Sequence, residues 1–427
     1  MASDSTDSNQ LQAAGDINVE EIRITTTNGF YQDITNQVIG ISIYEDIYSP
    51  FISGNLTVKD SLDMMNVFPF IGEEYLNMKL STPALGKGDM NAKFYITKMT
   101  DRQPTGDKGY IYQLHFISEA ALVDINKRVS KTFSGKCSDI ATQLLTDKTL
   151  GLQVEKIAVE PTINDTKFIS NFWTPVKCLN YVADTSANMN GSASYLFFED
   201  RYGFNFVSLE SMYRTEIYQE FRYDNYIRDI KPDGESARNT NEDYKRIRDI
   251  KIPTAYDYVD RASSGLFGSN LYTYDITTKI VNSTGYDAMS AFSKQYHLNK
   301  YPIFTNKAIY RHNAVIFNMS KYTENFQGFG DVTTTSVIQN RVSLMEQIKA
   351  SSIEIIVPGR MDYTVGLRIV VFVYKGEPTS DRDTEVIDEA YSGSYIISAI
   401  NHFITKNSHE CTMEIVKESV VKDLNKK

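Results

Sequence analysis

The sequence predicts a mainly β protein with α+β insertions, built as two antiparallel β-barrels in one chain plus two smaller domains. Three observations lead there. Apolar and polar residues alternate over long stretches near both ends, the period of a half-buried strand. Aromatics make up 12% of the chain, with 28 Tyr and 22 Phe against 11 Pro, a composition suited to folded sheet. The third observation is a repeated hairpin. Phe94-Tyr95-Ile96-Thr97-Lys98-Met99, a Pro/Gly-rich turn and Tyr112-Gln113-Leu114-His115-Phe116 form one copy. Tyr395-Ile396-Ile397-Ser398-Ala399-Ile400, a polar turn and Cys411-Thr412-Met413-Glu414-Ile415 form the other. Phe94, Ile96, Leu114 and Phe116 match Tyr395, Ile397, Met413 and Ile415 in place and apolar character. Each hairpin follows a glycine and a strand, Gly72 before Tyr75–Leu80 and Gly366 before Leu367–Phe372. A strand–hairpin order made twice predicts two related β-units.

The elements follow in chain order. Residues 1–16 are rich in Ser, Asp, Gln and Ala and read as a flexible N-terminus. From 17 to 118 the period is two: Ile22 and Ile24, then Ile39, Ile41 and Ile43, then Ile52, Leu56 and Val58 fall on single strand faces. Asn28-Gly29 marks a tight turn, Ser49-Pro50 a break, and Pro69–Gly72 the entry to the next strand. A six- or seven-stranded antiparallel unit of this kind curls to cover its apolar face, giving the first barrel.

Residues 119–211 read as an α+β middle domain. Ile140, Ala141, Leu144 and Leu145 have helical spacing. Thr174-Pro175 starts a second helix, because a hydroxyl at the N-cap accepts a backbone N–H and proline at the first position loses no bond. Tyr195 to Val207 is a hairpin turning at Asp200–Gly203. The second barrel is discontinuous, 212–254 with 336–416, around an inserted domain at 255–335. Within it Tyr226–Ile230 and Tyr244–Ile252 alternate like strands, with a polar loop Asp233–Asn241 between them, and Ser336 caps a helix carrying Ile338, Val342, Met345 and Ile348. An acidic loop at 381–389 precedes the second hairpin, and 417–427 reads as a charged tail.

Composition narrows the function classes. The length of 427 residues corresponds to about three domains. A net charge of −10 with no Lys/Arg run predicts no specific nucleic-acid binding. The first twenty residues carry Asp4, Asp7, Asp16 and Glu20 but no Lys or Arg, so no signal peptide is expected. The longest apolar run, Ile369–Tyr374, is too short to span a bilayer, which predicts no membrane partner. Cys137, Cys178 and Cys411 have no Cys-x-x-Cys spacing and read as buried free thiols in a reducing cytosol.

Catalytic signatures are missing. The histidines at 115, 297, 312, 402 and 409 form no His-x-x-x-His or His-Glu-x-x-His motif. His115 and His402 lie on strands and read as packed side chains. No Gly-x-Ser-x-Gly elbow, phosphate loop or dinucleotide fingerprint occurs, and Gly328–Asp331 is too short a glycine motif. Glu73/Glu74 and Glu199/Asp200 are the carboxylate pairs a glycosidase would need, but strand neighbours point to opposite faces. Trp173, just before a helix cap, and the Tyr-rich stretch 256–274 read as packing residues. The expectation is therefore a protein that is not an enzyme, with no catalytic, metal or cofactor site.

Several stretches together resemble the central baseplate hub proteins of contractile-tailed, T-even-like bacteriophages, which are related to the hub part of type VI secretion spikes. Ile41–Ile47, Ser53–Asp60 and Phe70–Glu74 are similar to the opening barrel of that family. Phe172–Pro175 through Phe198–Phe204 is similar to its middle domain, Tyr256–Val259 to the start of its later insertion, and Gly366–Glu414 to its closing barrel. The resemblance covers about residues 17–416 and implies tube-protein-like barrels, a homotrimeric ring presenting six of them, and a symmetry adaptor between a trimeric central spike and the hexameric tail tube or tube initiator. It extends the partners to tape measure and baseplate wedge proteins, and it carries no catalytic residues. A type VI spike would continue beyond the second barrel, so the stand-alone phage hub is the closer expectation. Three chains at −10 each would carry −30, and part of this charge is expected to line a DNA channel. A tail-associated cell-wall hydrolase and a glycan-binding tail protein are the alternatives from other functional classes.

Overall fold

The computed structural model describes residues 13–61, 64, 71–83, 89–106, 109–223, 240–254, 258–274, 279–305, 314–319, 332–375 and 387–424. Among the described residues the first unit has seven strands: β1 (Asn18–Thr25), β2 (Tyr31–Asp33), β3 (Val38–Asp46), β4 (Ser53–Asp60), β5 (Tyr75–Ser81), β6 (Met90–Pro104) and β7 (Tyr110–Ser118). They pair antiparallel in the order β3-β4-β7-β6-β5-β1-β2. The turns lie where the sequence places them. Gly29 takes φ +83 between β1 and β2, and Gly72 takes φ +91 before β5, a left-handed backbone that favours glycine. Ile22, Ile24, Ile41, Ile43, Leu56 and Val58 are buried together with Leu114 and Phe116 in one core.

The middle region holds helices Glu119–Asn126, Cys137–Thr146, Pro175–Thr185 and Leu209–Tyr213, with strands β8 (Val129–Lys136), β9 (Ile157–Val159), β10 (Asp165–Trp173), β11 (Tyr195–Asp200) and β12 (Gly203–Ser208). The Thr174 hydroxyl accepts the Lys177 N–H at 3.2 Å, the cap expected before Pro175. Asp200 accepts the Tyr202 and Gly203 N–H groups at 2.8 and 2.9 Å and closes the β11–β12 turn. Trp173 packs at the edge of this core against Phe168 and Tyr181. Cys137, Cys178 and Cys411 are free and buried.

Beyond it come β13 (Gln219–Tyr223), helix Thr240–Asp243, β14 (Asp249–Thr254) and helix Tyr258–Ser264. An inserted sheet follows, with β15 (Gly268–Tyr274), β16 (Val281–Asp287), helix Ala288–Phe292, β17 (Tyr301–Pro302) and β18 (Ala314–Met319). The chain then returns through helix Val332–Ile348 to β19 (Ser351–Pro358), β20 (Arg368–Val373), β21 (Gly393–Thr405), β22 (His409–Lys417) and β23 (Ser419–Val420). No described helix is long and apolar enough to cross a membrane.

The two hairpins repeat residue for residue. Ile96 lies opposite Phe116 as Ile397 lies opposite Ile415, and Met99 opposite Leu114 as Ile400 opposite Met413. Each long strand slips register at the same place, between Ile96 and Lys98 and between Ile397 and Ala399. A bulge at one position of both copies is a positional feature of the strand pair. The neighbours match as well. Leu76 pairs Phe94 as Ile369 pairs Tyr395, and Leu56 pairs Leu114 as Ile355 pairs Met413. Strand order β3-β4-β7-β6-β5-β1 thus corresponds to β14-β19-β22-β21-β20-β13. One pairing differs: β1 runs antiparallel to β5, whereas β13 runs parallel to β20.

Several expectations need correction. Both units belong to one 13-stranded sheet, joined where β21 pairs β3, and no closed barrel is found among the described strands. Each unit curls round its own core. In the first, β1 faces β3 across an open cleft of about 860 Å³. The outer edge of β3 is already bonded to β21, so it offers β1 no free backbone row. Ser336 lies inside helix Val332–Ile348 rather than at its cap. Only the end of the Tyr244–Ile252 stretch is strand, because Tyr244 and Ile247 are buried in a turn after helix Thr240–Asp243. The expected tail is packed at its start: Lys417, Glu418 and Ser419 are buried, and β23 pairs β17. Backbone groups meet the charges there: the Lys417 ammonium donates to the Ala390 and Ser392 carbonyls at 2.8 and 3.2 Å, and Glu418 accepts the Leu298 N–H at 2.8 Å through one oxygen, its other oxygen being buried without a partner. Expected features at Tyr226–Ile230, most of the 233–241 and 381–389 loops, 256–257 and 328–331 lie outside the described residues.

Gly54 on β4 tests the packing. An added Cβ would stand 2.3 Å from both the Phe116 ring and the Ser42 carbonyl oxygen, and the latter is backbone that cannot swing away. Gly54→Ala is therefore expected to destabilise the chain by about 1–3 kcal/mol through overpacking, read as a lower midpoint in urea unfolding.

Candidate functional site

The site that ties the molecule together is the seam between β3 and β21. It runs from Ala399 opposite Asp46 to Thr405 opposite Gly40. Strand β21 is long enough to serve two partners on one side, β20 through Arg368–Val371 and then β3. Along β3 the buried face carries Ile41, Ile43 and Ile47, and Glu45 lies in phase with them at 3% exposure. That phase is the signal the sequence held for this carboxylate, an acid in an apolar register.

Glu45 accepts hydrogen bonds from the Thr364 hydroxyl and, at 3.4 Å, from the Val365 N–H. These residues sit in the loop between β19 and β20, so the carboxylate fastens the first unit to the second. Burial pushes its pKa up to about 7. Glu199 makes a matching bridge from the middle region. Its carboxylate accepts the Ile52 N–H at 3.0 Å and the Ser118 hydroxyl at 2.8 Å, which ties β11 to the ends of β4 and β7. Burial raises its pKa to about 7 as well, and Asp200 beside it is also raised by burial. The Glu45 charge adds to the upward push on Glu199. On the same loop, Arg360 holds Asp362 through two hydrogen bonds of 3.0 and 2.5 Å, and the Tyr218 hydroxyl donates to Asp362 at 2.5 Å. Sequence reasoning missed Thr364, which meets Glu45 319 positions away, and Tyr218, which meets Asp362 144 positions away, because no local pattern marks such partners; Arg360 and Asp362, two residues apart, were missed with them.

Of the carboxylate pairs weighed from sequence, the Glu74 carboxylate accepts the Ile71 and Gly72 N–H groups at 2.7 and 2.9 Å and shapes the entry to β5, while Glu73 is exposed. Glu199 and Asp200 line an open cleft of about 880 Å³. Both Glu199 oxygens are engaged as acceptors, and both Asp200 bonds close its own turn, so the pair is arranged as a clasp. His115 contacts the Thr100 hydroxyl at 2.9 Å, whereas His402 lies on the seam opposite Ile43.

The repeat makes the exposed edges meaningful. In the second unit, the later half of β21 is covered by β3. In the first unit, β6 pairs β5 only through Met90–Tyr95, and residues 97–104 have no described strand on that side. They are largely exposed. The counterpart of β3 is β14, and it ends the sheet with its outer edge open among the described strands. One chain therefore carries an open acceptor strand and an open donor strand of the same kinds that it joins internally.

No family model matches the chain. It is 23% identical to a probable baseplate hub protein, gp334, of Vibrio phage KVP40, with 92% of each sequence covered. Among solved structures, it is similar to a tail protein from Neisseria meningitidis MC58, with a TM-score of 0.56 at 9% identity, covering 93% of this chain and 96% of that one. A 43 kDa tail protein of prophage MuSo2 from Shewanella oneidensis gives a TM-score of 0.51 at 12% identity, covering 93% and 98%. The two structural likenesses concern the fold. The resemblance to baseplate hub proteins read from the residues is thus matched along nearly the whole chain.

Glu45 sets a pH dependence. Below pH 4.5 both folded and unfolded chains keep its proton. Between 4.5 and about 7 the unfolded chain has released it and the folded chain has not, so stability falls as pH rises. Above about 7 the loss levels off at about 3 kcal/mol. Glu45→Gln keeps an acceptor for Thr364 and removes the ionisation. Its urea midpoint is expected to match the parent near pH 4 and exceed it near pH 8. Parallel profiles for the two proteins would show that Glu45 ionises freely in the fold.

Proposed function

We propose that this chain is the structural hub of a contractile-tail baseplate in a phage virion, assembled in the host cytoplasm. In this reading three chains close into a ring of pseudo-six-fold symmetry. The ring joins a trimeric central spike to the hexameric tail tube or tube initiator, near tape measure and wedge proteins, and its bore forms part of the DNA channel. The role is mechanical, without catalysis. The likeness to a probable baseplate hub protein over nearly the whole chain supports the general reading.

One observation supports the ring: the pairing of β21 with β3 inside the chain, beside the open later half of β6 and the open edge of β14. If the relation between the two units repeats from chain to chain, β6 of one copy adds to β14 of the next. Such a contact is heterologous, and heterologous contacts close into rings when the rotation allows. Backbone groups left open on β6 and β14 would be satisfied in the ring, as strand edges need to be. Exposed Ile169 and Phe172 on β10, each 69% accessible, add apolar area for a neighbour. The charge of −10 per chain suits a lumen through which phosphate slides without adhering. A hub component of a related contractile injection or secretion system would use the same contact.

Cysteines placed at Lys98 on β6 and Ile252 on β14, both exposed, provide the test because the native thiols are buried. A short bifunctional thiol reagent applied to particles assembled with the spike should give linked dimers and trimers, with nothing larger. Either single variant should stop at uncrosslinked chains. Links confined within one chain, or a ladder running past three, would remove the proposed contact. The assembled protein should leave peptidoglycan suspensions at constant turbidity.

A further inference from the structure

His402, His409 and Cys411 converge at the closed end of the β21–β22 hairpin. His402 Nδ1 lies 3.0 Å from His409 Nε2, and the Cys411 sulfur lies 3.3 and 3.4 Å from those two nitrogens. All three side chains are almost fully buried, at 2%, 1% and 0% exposure. Tetrahedral zinc, with bonds of about 2.0–2.1 Å to nitrogen and about 2.3 Å to sulfur, spaces its ligands about 3.3 Å apart between nitrogens and about 3.6 Å between nitrogen and sulfur. The triangle agrees with those separations to within about 0.3 Å.

Two tautomers of His409 give this triangle two hydrogen-bond arrangements. His402 also hydrogen-bonds the Tyr363 backbone in a way that favours a protonated ring, so an N–H there faces the carbonyl. That leaves a lone pair on Nδ1, facing inward. If His409 carries its proton on Nε2, that N–H reaches the Cys411 sulfur while the Cys411 S–H reaches the His402 Nδ1 lone pair. If it carries the proton on Nδ1, two nitrogen lone pairs face each other at 3.0 Å. His409 Nδ1 has no hydrogen-bond partner in either case, and a metal on Nε2 would leave it so. Three inward donors around one point are what a thiophilic cation satisfies. The hairpin does not itself require them, because Tyr110 and Tyr112 occupy the places of His409 and Cys411 in the first unit.

We propose that His402, His409 and Cys411 bind one thiophilic first-row transition metal ion, zinc foremost, as a structural staple. Neutral imidazole and thiolate are the binding forms. The Cys411 thiol proton therefore leaves to solvent as the metal–sulfur bond forms. The three side chains leave a fourth position for water, since no fourth His, Cys, Asp or Glu joins the group among the described residues. Carboxylates at Asp362 and Glu410 act on Cys411 and favour a cation, while the Arg201 charge acts on both rings and opposes it. The site stands where three segments meet. The His409 N–H donates to the Gly15 carbonyl at 2.7 Å, its carbonyl accepts the Gly359 N–H at 2.8 Å, and a Cβ on Gly359 would fall 2.3 Å from the imidazole. The metal would thus pin the N-terminal arm, the loop after β19 and the seam strand. The usual motif search fails because the ligands lie across a hairpin, where only pairing brings His402 opposite Cys411.

The test uses the full chain produced in zinc- or cobalt-supplemented medium. Elemental analysis should return about one metal per chain, and the cobalt form should show a thiolate-to-cobalt charge-transfer band in the near ultraviolet. Cys411→Ser should lose that band and at least tenfold of the retained metal, since loss of an outer-shell partner alone costs about 10–100-fold. Should that variant fail to fold, X-ray absorption of the unmutated zinc form decides the matter: one sulfur at about 2.3 Å and nitrogen or oxygen neighbours at about 2.0 Å support the site. A metal content below about one tenth per chain, or a first shell without sulfur, overturns it.

Discussion

The two repeated units of this molecule are joined into one sheet by a single backbone ladder, the pairing of β21 with β3. A β-strand edge is a row of unpaired donors and acceptors, and it is used once. Because β21 takes the outer edge of β3, β1 cannot close the first unit on that edge, and the cleft between β1 and β3 stays open. The same ladder brings Glu45 and His402 to the inner boundary between units, where each meets loop residues of the 359–365 segment. A non-local contact of this kind costs loop-closure entropy before it returns any stability. Its buried polar groups therefore have to be well satisfied. Glu45 with Thr364 and Glu199 with Ile52 and Ser118 are satisfied in that sense, at the expense of keeping carboxylates out of water.

The sequence was readable wherever the physics is local. Alternation along β1, β3, β4 and the two hairpins follows from one face being buried, and the turns at Gly29, Gly72 and Asp200–Gly203 follow from backbone geometry or a side-chain acceptor. The Thr174-Pro175 helix start is of the same kind. Even the duplication showed, because a two-residue period with matching large residues survives in both copies. What stayed hidden depends on pairing between distant strands. Nothing around Gly40–Asp46 says that its partner is Ala399–Thr405, and so two units looked like two separate barrels. Lys417-Glu418 looked like solvated tail for a related reason: the carbonyls of Ala390 and Ser392 and the N–H of Leu298, which receive those charges, are contributed from elsewhere in the fold. The buried carboxylates were half legible. Glu45 stands in an apolar phase, and Glu199 was singled out, but as a possible acid–base group rather than as a clasp.

The divergence of the two units carries a physical meaning beyond the repeat. Six identical barrels would present six identical rims, and a three-fold partner could contact only half of them in the same way. Here the shared order β4-β7-β6-β5 and β19-β22-β21-β20 keeps the bonding edges alike. The additions are unlike. One α+β block follows the first unit, a separate sheet β16-β15-β18 is inserted between β14 and β19 of the second, and β13 lies parallel to β20 where β1 lies antiparallel to β5. In a closed ring of the proposed kind, alternate positions would then carry different decorations on a nearly uniform sheet. Backbone hydrogen bonds are blind to side-chain identity, so the sheet can stay close to six-fold while the decorations are three-fold. Covalent linkage of the two units fixes their alternation, which separate chains would have to enforce through side-chain discrimination alone. In such a ring the one internal joint, β21 on β3, would be the template for every joint between chains, and its open counterparts on β6 and β14 would be the places where that template is unfilled in a single copy.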